Sequence, residues 1–388
     1  MSRDRRYQNI EDFRQAAGKR LPKIFADYIE GGAFSETTLR RNREGFDAYA
    51  LRQRVLCNLT PEVDLSSTYL GRRQALPFFP GPVGFLGLYR RDGDLKVGLA
   101  AKAAGVPFAL STFSIRGIAS LAPHLGENLA FQLYLDRDPA VNESYLEACR
   151  AAGVETIFLT VDTAITSVRE RDNRNGFRAL QKISPSLAWQ FAKRPRWSLD
   201  LLRNGMPGVE LVEGRAEFGR GALAQASALS ARLDKDLTWE KLRWLRDLWP
   251  GRLVVKGLGD PRDAALARQS GVDGVVLSNH GGRQLDQGLA TISQVAAMRE
   301  ALGPDCELFV DSGFRRGSDI VKALALGADA VMLGRPFAWA VAAEGDWGCS
   351  RLFEIMAKEI AITLQLMGMN SLSELRAAPL LSLLSPTG

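Results

Sequence analysis

A histidine and an arginine three residues apart, His280 and Arg283, lie in SNHGGRQLD (278–286), directly after an apolar run. An imidazole takes up a proton near neutral pH, and a guanidinium holds a carboxylate through two parallel hydrogen bonds. The pair therefore fits proton abstraction from a substrate that carries a carboxylate. A lone histidine is more often structural, but the flanking glycines and the matching arginine favour catalysis here. The other histidine, His124 in SLAPHLGENL, reads as a structural residue at a helix end. Two histidines and four scattered cysteines (Cys57, Cys149, Cys306, Cys349) form neither a metal-ligand pattern nor a disulfide framework. No metal is expected, and a reducing, cytoplasmic setting fits.

Two glycine-containing segments, DSGFRRGSD (311–319) and MLGRPF (332–337), carry Arg315 and Arg335. Glycines allow close backbone approach, and a following helix offers its N-terminal N–H groups to an anion. Together they predict a site for a phosphorylated ligand. Further polar residues end other apolar runs: Gln132 and Tyr134, Thr160 and Asp162, Lys256, Ser278 with Asn279, and Asp311. Any one of these is most simply a cap or a surface group. Their repetition at most of the run ends argues for a shared site.

The elements that must position them are eight short apolar runs: 76–84, 107–113, 129–135, 155–163, 252–257, 273–281, 306–313 and 329–337. Continuous apolar runs suit strands buried on both faces, and amphipathic stretches between most of them suit helices. Asp260-Pro261 opens one helix ending near Gly271, and 317–327 is another. The expected fold is α/β, a (β/α)8 TIM barrel whose strand C-termini share one functional face. A doubly wound open sheet is the alternative, but its glycine fingerprint after the first strand is missing. The expected organisation is a single domain over 1–388. Residues 1–75 form an N-terminal helical cap, 76–163 and 238–388 the barrel, and 164–237 an insertion after strand 4. LPKIFADYIEGGA (21–33) predicts a cap helix ending at Gly31-Gly32.

The composition, 46% hydrophobic and 24% charged, argues against a largely disordered chain of 388 residues. The N-terminus lacks the apolar core of a signal peptide, and no stretch reads as a transmembrane helix. The formal charge is only +6, but it is uneven. Residues 177–205 hold six basic residues and one acid, interleaved with Phe177, Leu187, Trp189, Phe191, Trp197, Leu199, Leu201 and Leu202. That mixture suits the interface of an anionic membrane, with peripheral contact expected through 177–215. A lid packed over the barrel is the competing reading. A nucleic-acid partner is not expected, because no binding fold accompanies the charge.

Taken together, LPKIFADY, FQLY, TVDT, VVKG, SNHGGRQLD, DSGFRRGSDIVKALALGA and LGRP span nearly the whole chain. They resemble the FMN-dependent α-hydroxy acid oxidases and dehydrogenases. WEKLRWLRDLWP (239–250) and the stretch 311–335 look closest to the mandelate dehydrogenases within that family. The resemblance implies FMN as cofactor and oxidation of an (S)-2-hydroxy acid to the 2-oxo acid. It implies His280 as the base, with Asp162 supporting its charged form and Tyr134 facing the substrate hydroxyl. Tyr28, Arg169 and Arg283 match carboxylate-binding residues. For the flavin, Lys256 matches the lysine beside N1 and O2 of the ring. Ser111, Gln132, Thr160 and Ser278 match polar contacts to the ring or ribityl chain. Asp311, Gly313, Arg315, Gly334 and Arg335 match the ribityl and phosphate site.

Two positions depart from the glycolate-oxidase pattern. Val83-Gly84 follows Pro82 where many members have Thr-Ala, and Phe113 replaces a tryptophan. Pro82, Val83 and Gly84 are expected beside the flavin, with the missing methyl at Gly84 leaving room there. Phe113 is expected near the substrate side chain. An aromatic acid such as mandelate is therefore the expected substrate. Lactate dehydrogenase or an oxygen-using oxidase is the runner-up, and a non-redox FMN isomerase or a non-catalytic scaffold is less favoured. If the insertion binds membrane, a respiratory quinone is the expected acceptor and the cytoplasmic face of the inner membrane the expected place. A lid would favour an oxygen-using oxidase. The resemblance further implies a homo-oligomer (a tetramer).

Overall fold

The computed structural model describes residues 3–177, 184–378 and 381–384. Eight strands form the centre: β1 (Phe78–Pro80), β2 (Phe108–Ser111), β3 (Leu129–Leu133), β4 (Thr156–Thr160), β5 (Arg252–Leu258), β6 (Gly274–Leu277), β7 (Glu307–Val310) and β8 (Ala330–Leu333). Seven of the eight expected apolar runs contain one of them whole, and β5 runs one residue past the fifth, to Leu258. Consecutive strands from β2 to β8 pair in parallel, and β8 pairs with β1. The sheet is thus a TIM barrel closed everywhere except for a ladder between β1 and β2.

Alternation along the strands decides what faces inward. Phe79, Phe158 and Phe309, from β1, β4 and β7, meet inside the barrel at centroid distances of 5.9–6.2 Å. Two residues beyond Phe158 on the same face comes Thr160, so the period that fills the core also delivers a polar group to the rim. The opposite end is closed by a hairpin, Ser67–Tyr69 with Arg72–Gln74. Its fully buried Tyr69 stacks on Phe79 and donates to Leu76 O at 2.9 Å.

The cap helix Lys23–Glu30 ends at Gly31, as its sequence predicts. The helix over 317–327 runs Gly317–Ala325, and its chain reverses at Gly327 with φ +106°. Ala264–Gln269 follows a short turn at Pro261–Asp263. A long helical stretch, Arg335–Leu366, starts at Gly334 and breaks at Gly345, whose φ is +62°. The insertion is not a bare loop. It contains helices Glu170–Asn175, Pro185–Ala192, Pro195–Asn204 and Ala222–Arg232. Phe177, Leu187, Trp197, Val209 and Phe218 bury its inner side against the body.

Candidate active site

A cavity of about 330 Å³ opens at the C-terminal ends of the strands. Most of the expected site residues line it: Tyr28, Pro82, Val83, Gly84, Ser111, Phe113, Tyr134, Thr160, Arg169, Lys256, His280, Arg283, Asp311, Gly313, Arg315, Gly334 and Arg335. Three do not: Gln132, Asp162 and Ser278 stand behind the wall. Gln132 accepts from Ser111 Oγ (3.0 Å) and donates to Thr160 Oγ1 (2.9 Å). Ser278 Oγ accepts from Lys256 Nζ and from the His280 N–H, both at 3.0 Å. Their polar atoms are used to orient the residues that do reach the cavity.

The loop after β6 carries His280 in the left-handed region, with φ +56°, followed by Gly281 (+67°) and Gly282 (+75°). A non-glycine residue there is uncommon and marks a constrained position. Asn279 Oδ1 helps hold the turn by accepting from the Gly282 N–H at 3.0 Å. The conformation aims His280 Nδ1 at Asp162, 3.0 Å and 3.1 Å from its two oxygens. Asp162 can approach because Gly257 faces it: a Cβ at Gly257 would lie 2.7 Å from Asp162 Cβ. Gly257 also has φ +114° and sits at the register shift that ends β5.

The electrostatics are asymmetric. Burial lowers the pKa of His280, Lys256 and Arg169 press the same way, and Asp162 only partly offsets them. Burial acts to raise Asp162, but His280 and then Lys256 outweigh it and keep the carboxyl below its ordinary range. An ionised carboxylate accepts Nδ1–H, which leaves Nε2 as the proton acceptor. Burial also acts against the Lys256 charge, yet Asp311, 3.2 Å away, and Asp162 raise its pKa. The lysine therefore stays a buried cation.

Arg283 donates from Nη1 to the carbonyls of Tyr28 (2.6 Å) and Gly31 (2.9 Å), and lies 4.6 Å over the Tyr28 ring. Its Nη2 is buried and has no partner among the described residues. A guanidinium N–H left unmatched inside a cavity implies an acceptor supplied from outside the chain. Arg169 lines the same wall, 4.0 Å from Asp172. Arg315 and Arg335 flank the other end of the cavity. Burial, and then neighbouring arginines, push both down to about 9. Arg335 donates to the carbonyls of Ile29, Gly31 and Gly281. Two buried, mutually repelling cations beside the start of a helix at Gly334 fit a phosphate dianion. A Cβ at Gly334 would touch only Val83, at 3.5 Å, so the glycine leaves that cradle open.

Gly84 behaves differently from its expectation. Its missing methyl does not leave free space, because a Cβ there would lie 2.8 Å from Phe113 Cβ. The glycine instead lets the Phe113 loop close in. Several wall residues carry no sequence motif: Phe85, Tyr89, Phe177, Leu223, Ala226 and Leu233. Phe177 stacks on Tyr28 at 4.1 Å, although its sequence context pointed to a membrane surface. Its place could be found only by knowing that the insertion folds back over the rim. His124 is exposed in the last turn of Ile118–Leu125, away from this site.

The profile of the FMN-dependent dehydrogenase family matches residues 17–382. The chain belongs to that family. L-lactate dehydrogenase of Serratia proteamaculans is 38% identical over 370 residues, covering 94% of this chain and 96% of the relative. L-lactate dehydrogenase of Pseudomonas aeruginosa is 39% identical over 370 residues with the same coverage. A solved structure of the monotopic membrane protein (S)-mandelate dehydrogenase superposes with a TM-score of 0.92 at 39% identity. It covers 97% of this chain and 99% of that one. This FMN-dependent dehydrogenase is therefore an oxidoreductase acting on 2-hydroxy acids, with FMN as its cofactor. The cavity fits that cofactor: it offers a buried cation at Lys256, two arginines at one end and an open glycine cradle.

Proposed function

We propose that this FMN-dependent dehydrogenase oxidises an (S)-2-hydroxy acid with a bulky apolar side chain, mandelate in type, to the 2-oxo acid. The observation that carries the reading is the unmatched Arg283 Nη2 in the same cavity as the His280–Asp162 pair. Arg283 and Arg169 bind the carboxylate, and Tyr28 and Tyr134 flank it. Nε2 of His280 takes the substrate proton, and Asp162 stabilises the imidazolium that results. Phe113, Phe85, Phe177 and Leu223 form an apolar wall for the side chain. Arg315, Arg335, Gly313, Gly334 and Asp311 hold the phosphate and ribityl end of FMN. Ser111, Thr160 and Lys256 face its ring, with Gln132 and Ser278 bracing them. FMN, when bound, supplies the two-electron acceptor, and the buried Lys256 charge favours its reduced form.

Exposed Trp189, Leu199 and Leu202 on the insertion support peripheral membrane contact. No helix among the described residues is long and apolar enough to cross a membrane. A lipid-embedded quinone then becomes the natural acceptor, and a cytoplasmic-face location and a tetramer are part of the same reading. Lactate is the second reading, favoured by the names of the curated relatives. The test is kcat/KM for (S)-mandelate, (S)-lactate and glycolate, each with a quinone analogue and with oxygen. Mandelate with the quinone analogue is expected to lead. A clear lactate preference overturns the substrate, and faster turnover with oxygen overturns the acceptor.

A further inference from the structure

Four residues past His280 and one past Arg283, Gln284 spans to the neighbouring loop. Its Nε2 donates to the carbonyl of Asp162 and to that of Ile165, the latter at 2.9 Å. Both carbonyls belong to the loop after β4, which also carries Arg169 to the cavity wall. The two acceptors fix the amide, since turned over its oxygen would face two carbonyl oxygens. Gln284 Oε1 is buried and accepts no hydrogen bond among the described residues. Gln284 lines the cavity too, but both its donors are taken by that one loop.

Asp162 is thereby gripped twice. Its carboxylate faces His280 Nδ1 at 3.0 Å and 3.1 Å, and its carbonyl accepts from Gln284. The two side chains that hold it stand on one loop, the loop after β6. That loop is firmly anchored on the cap: Asp286 accepts from the Ser35 and Thr38 N–H groups, both at 2.9 Å. The loop after β4 is held more thinly. The Val161 N–H donates to Lys256 O (2.9 Å) where the strand ends, and Val168 O accepts from the Phe34 N–H (3.0 Å). Between these points, no other side chain bonds the backbone of 162–167 among the described residues. Ile165 is 82% exposed, so packing does not hold the loop there.

A carboxylate just past a strand end turns with its main chain, and the stabilisation it gives an imidazolium falls off steeply with misalignment. We propose that Gln284 is a positioning residue for proton abstraction: by holding the Asp162 main chain, it keeps the Asp162 carboxylate on His280 Nδ1. The inference rests on His280 as the base, proposed above, and adds a residue that acts through Asp162. The titratable groups around His280 come from several elements. Asp162 and Arg169 follow β4, Lys256 lies on β5 with Asp311 bonded to it, Tyr134 follows β3, Tyr28 is on the cap, and Arg283 shares the loop. Of these, Gln284 bonds only Asp162.

The test compares Gln284→Met with wild type, both loaded with FMN. Methionine keeps the length of the side chain and removes both donors. kcat is expected to fall roughly 10- to 100-fold, with KM changed much less and FMN absorbance retained. The acid limb of kcat/KM should move to lower pH, because Asp162 then raises His280 less. The decisive arm repeats the substitution in Asp162→Asn. There Gln284→Met should change kcat by no more than about twofold, since the carboxylate it aligns is gone. A general loosening of the fold would instead multiply the two losses. Multiplied losses, or an unmoved acid limb, overturn the tether.

Gln284→Asn, one methylene too short to span both carbonyls, gives the same readouts if the methionine variant does not fold. Near-full activity of whichever variant folds overturns the proposal. If His280→Ala keeps near-full turnover, the base assignment falls and this inference with it. If His280→Ala is inactive while the Gln284 and Asp162 losses multiply, only the tether falls.

Discussion

His280 sits in an uncommon backbone region, with its Nδ1 committed to Asp162 and its pKa below the ordinary 6.5. The free enzyme therefore holds a neutral base at neutral pH. kcat/KM is expected to be flat there and to fall only below the ordinary histidine range, about tenfold per pH unit. Asp162→Asn removes the charge that raises His280, so the acid limb should move to still lower pH. The plateau should also drop, by roughly 10²- to 10⁴-fold, because the imidazolium loses its partner. A limb that stays put, or moves upward, would contradict the pairing. His280→Ala should keep FMN absorbance and lose turnover by a similar factor. The proposed parts of His280 and Arg283 were legible from residue type and spacing in a chain with two histidines, and that of Asp162 only through the family resemblance. What was not legible is which residues stand behind others. Gln132 and Ser278 have the right chemistry and the right strands, but their hydrogen bonds are spent on Ser111, Thr160, Lys256 and the His280 N–H.

The insertion was read as either a lid or a membrane anchor, and its helices do not divide that way. One side is buried: Phe177 stacks on Tyr28 over the cavity, and Leu187 and Trp197 pack against the body. The other side exposes Trp189, Leu199 and Leu202. Of the basic residues counted there, Arg178 and Lys182 lie outside the described residues, and Arg194 is tied to two carbonyls of the cap. Sequence periodicity could not separate the two sides because each helix is short and apolar on more than one face. The two roles should separate by mutation, whereas deleting 177–215 would remove both. Phe177→Ala is expected to raise KM several-fold and leave membrane partition alone. Leu202→Asp is expected to reduce partition and leave kcat with a soluble acceptor unchanged. Coupled changes in both variants would mean that the two faces are one functional surface.

At the scale of the molecule, the eight-strand alternation was readable because strands buried on both faces leave unbroken apolar runs. The cap was readable as helices and, through the resemblance, for the Tyr28 side chain. The rest of its contribution to the site comes from carbonyls of Tyr28, Ile29 and Gly31, which Arg283 and Arg335 occupy. Backbone acceptors carry no residue signature, so no motif could announce them. The floor of the barrel is sealed by the hairpin at 67–74 and by three phenylalanine rings behind it. Among the described residues the cavity opens at the strand C-termini, and the insertion narrows that mouth. Hydroxy acid, oxo acid and electron acceptor must all pass the same rim, so a bulky acceptor waits until the oxo acid has gone. Substituted-enzyme kinetics follow: double-reciprocal plots at several acceptor concentrations should be parallel. Intersecting lines would require a second way in, which this floor does not provide.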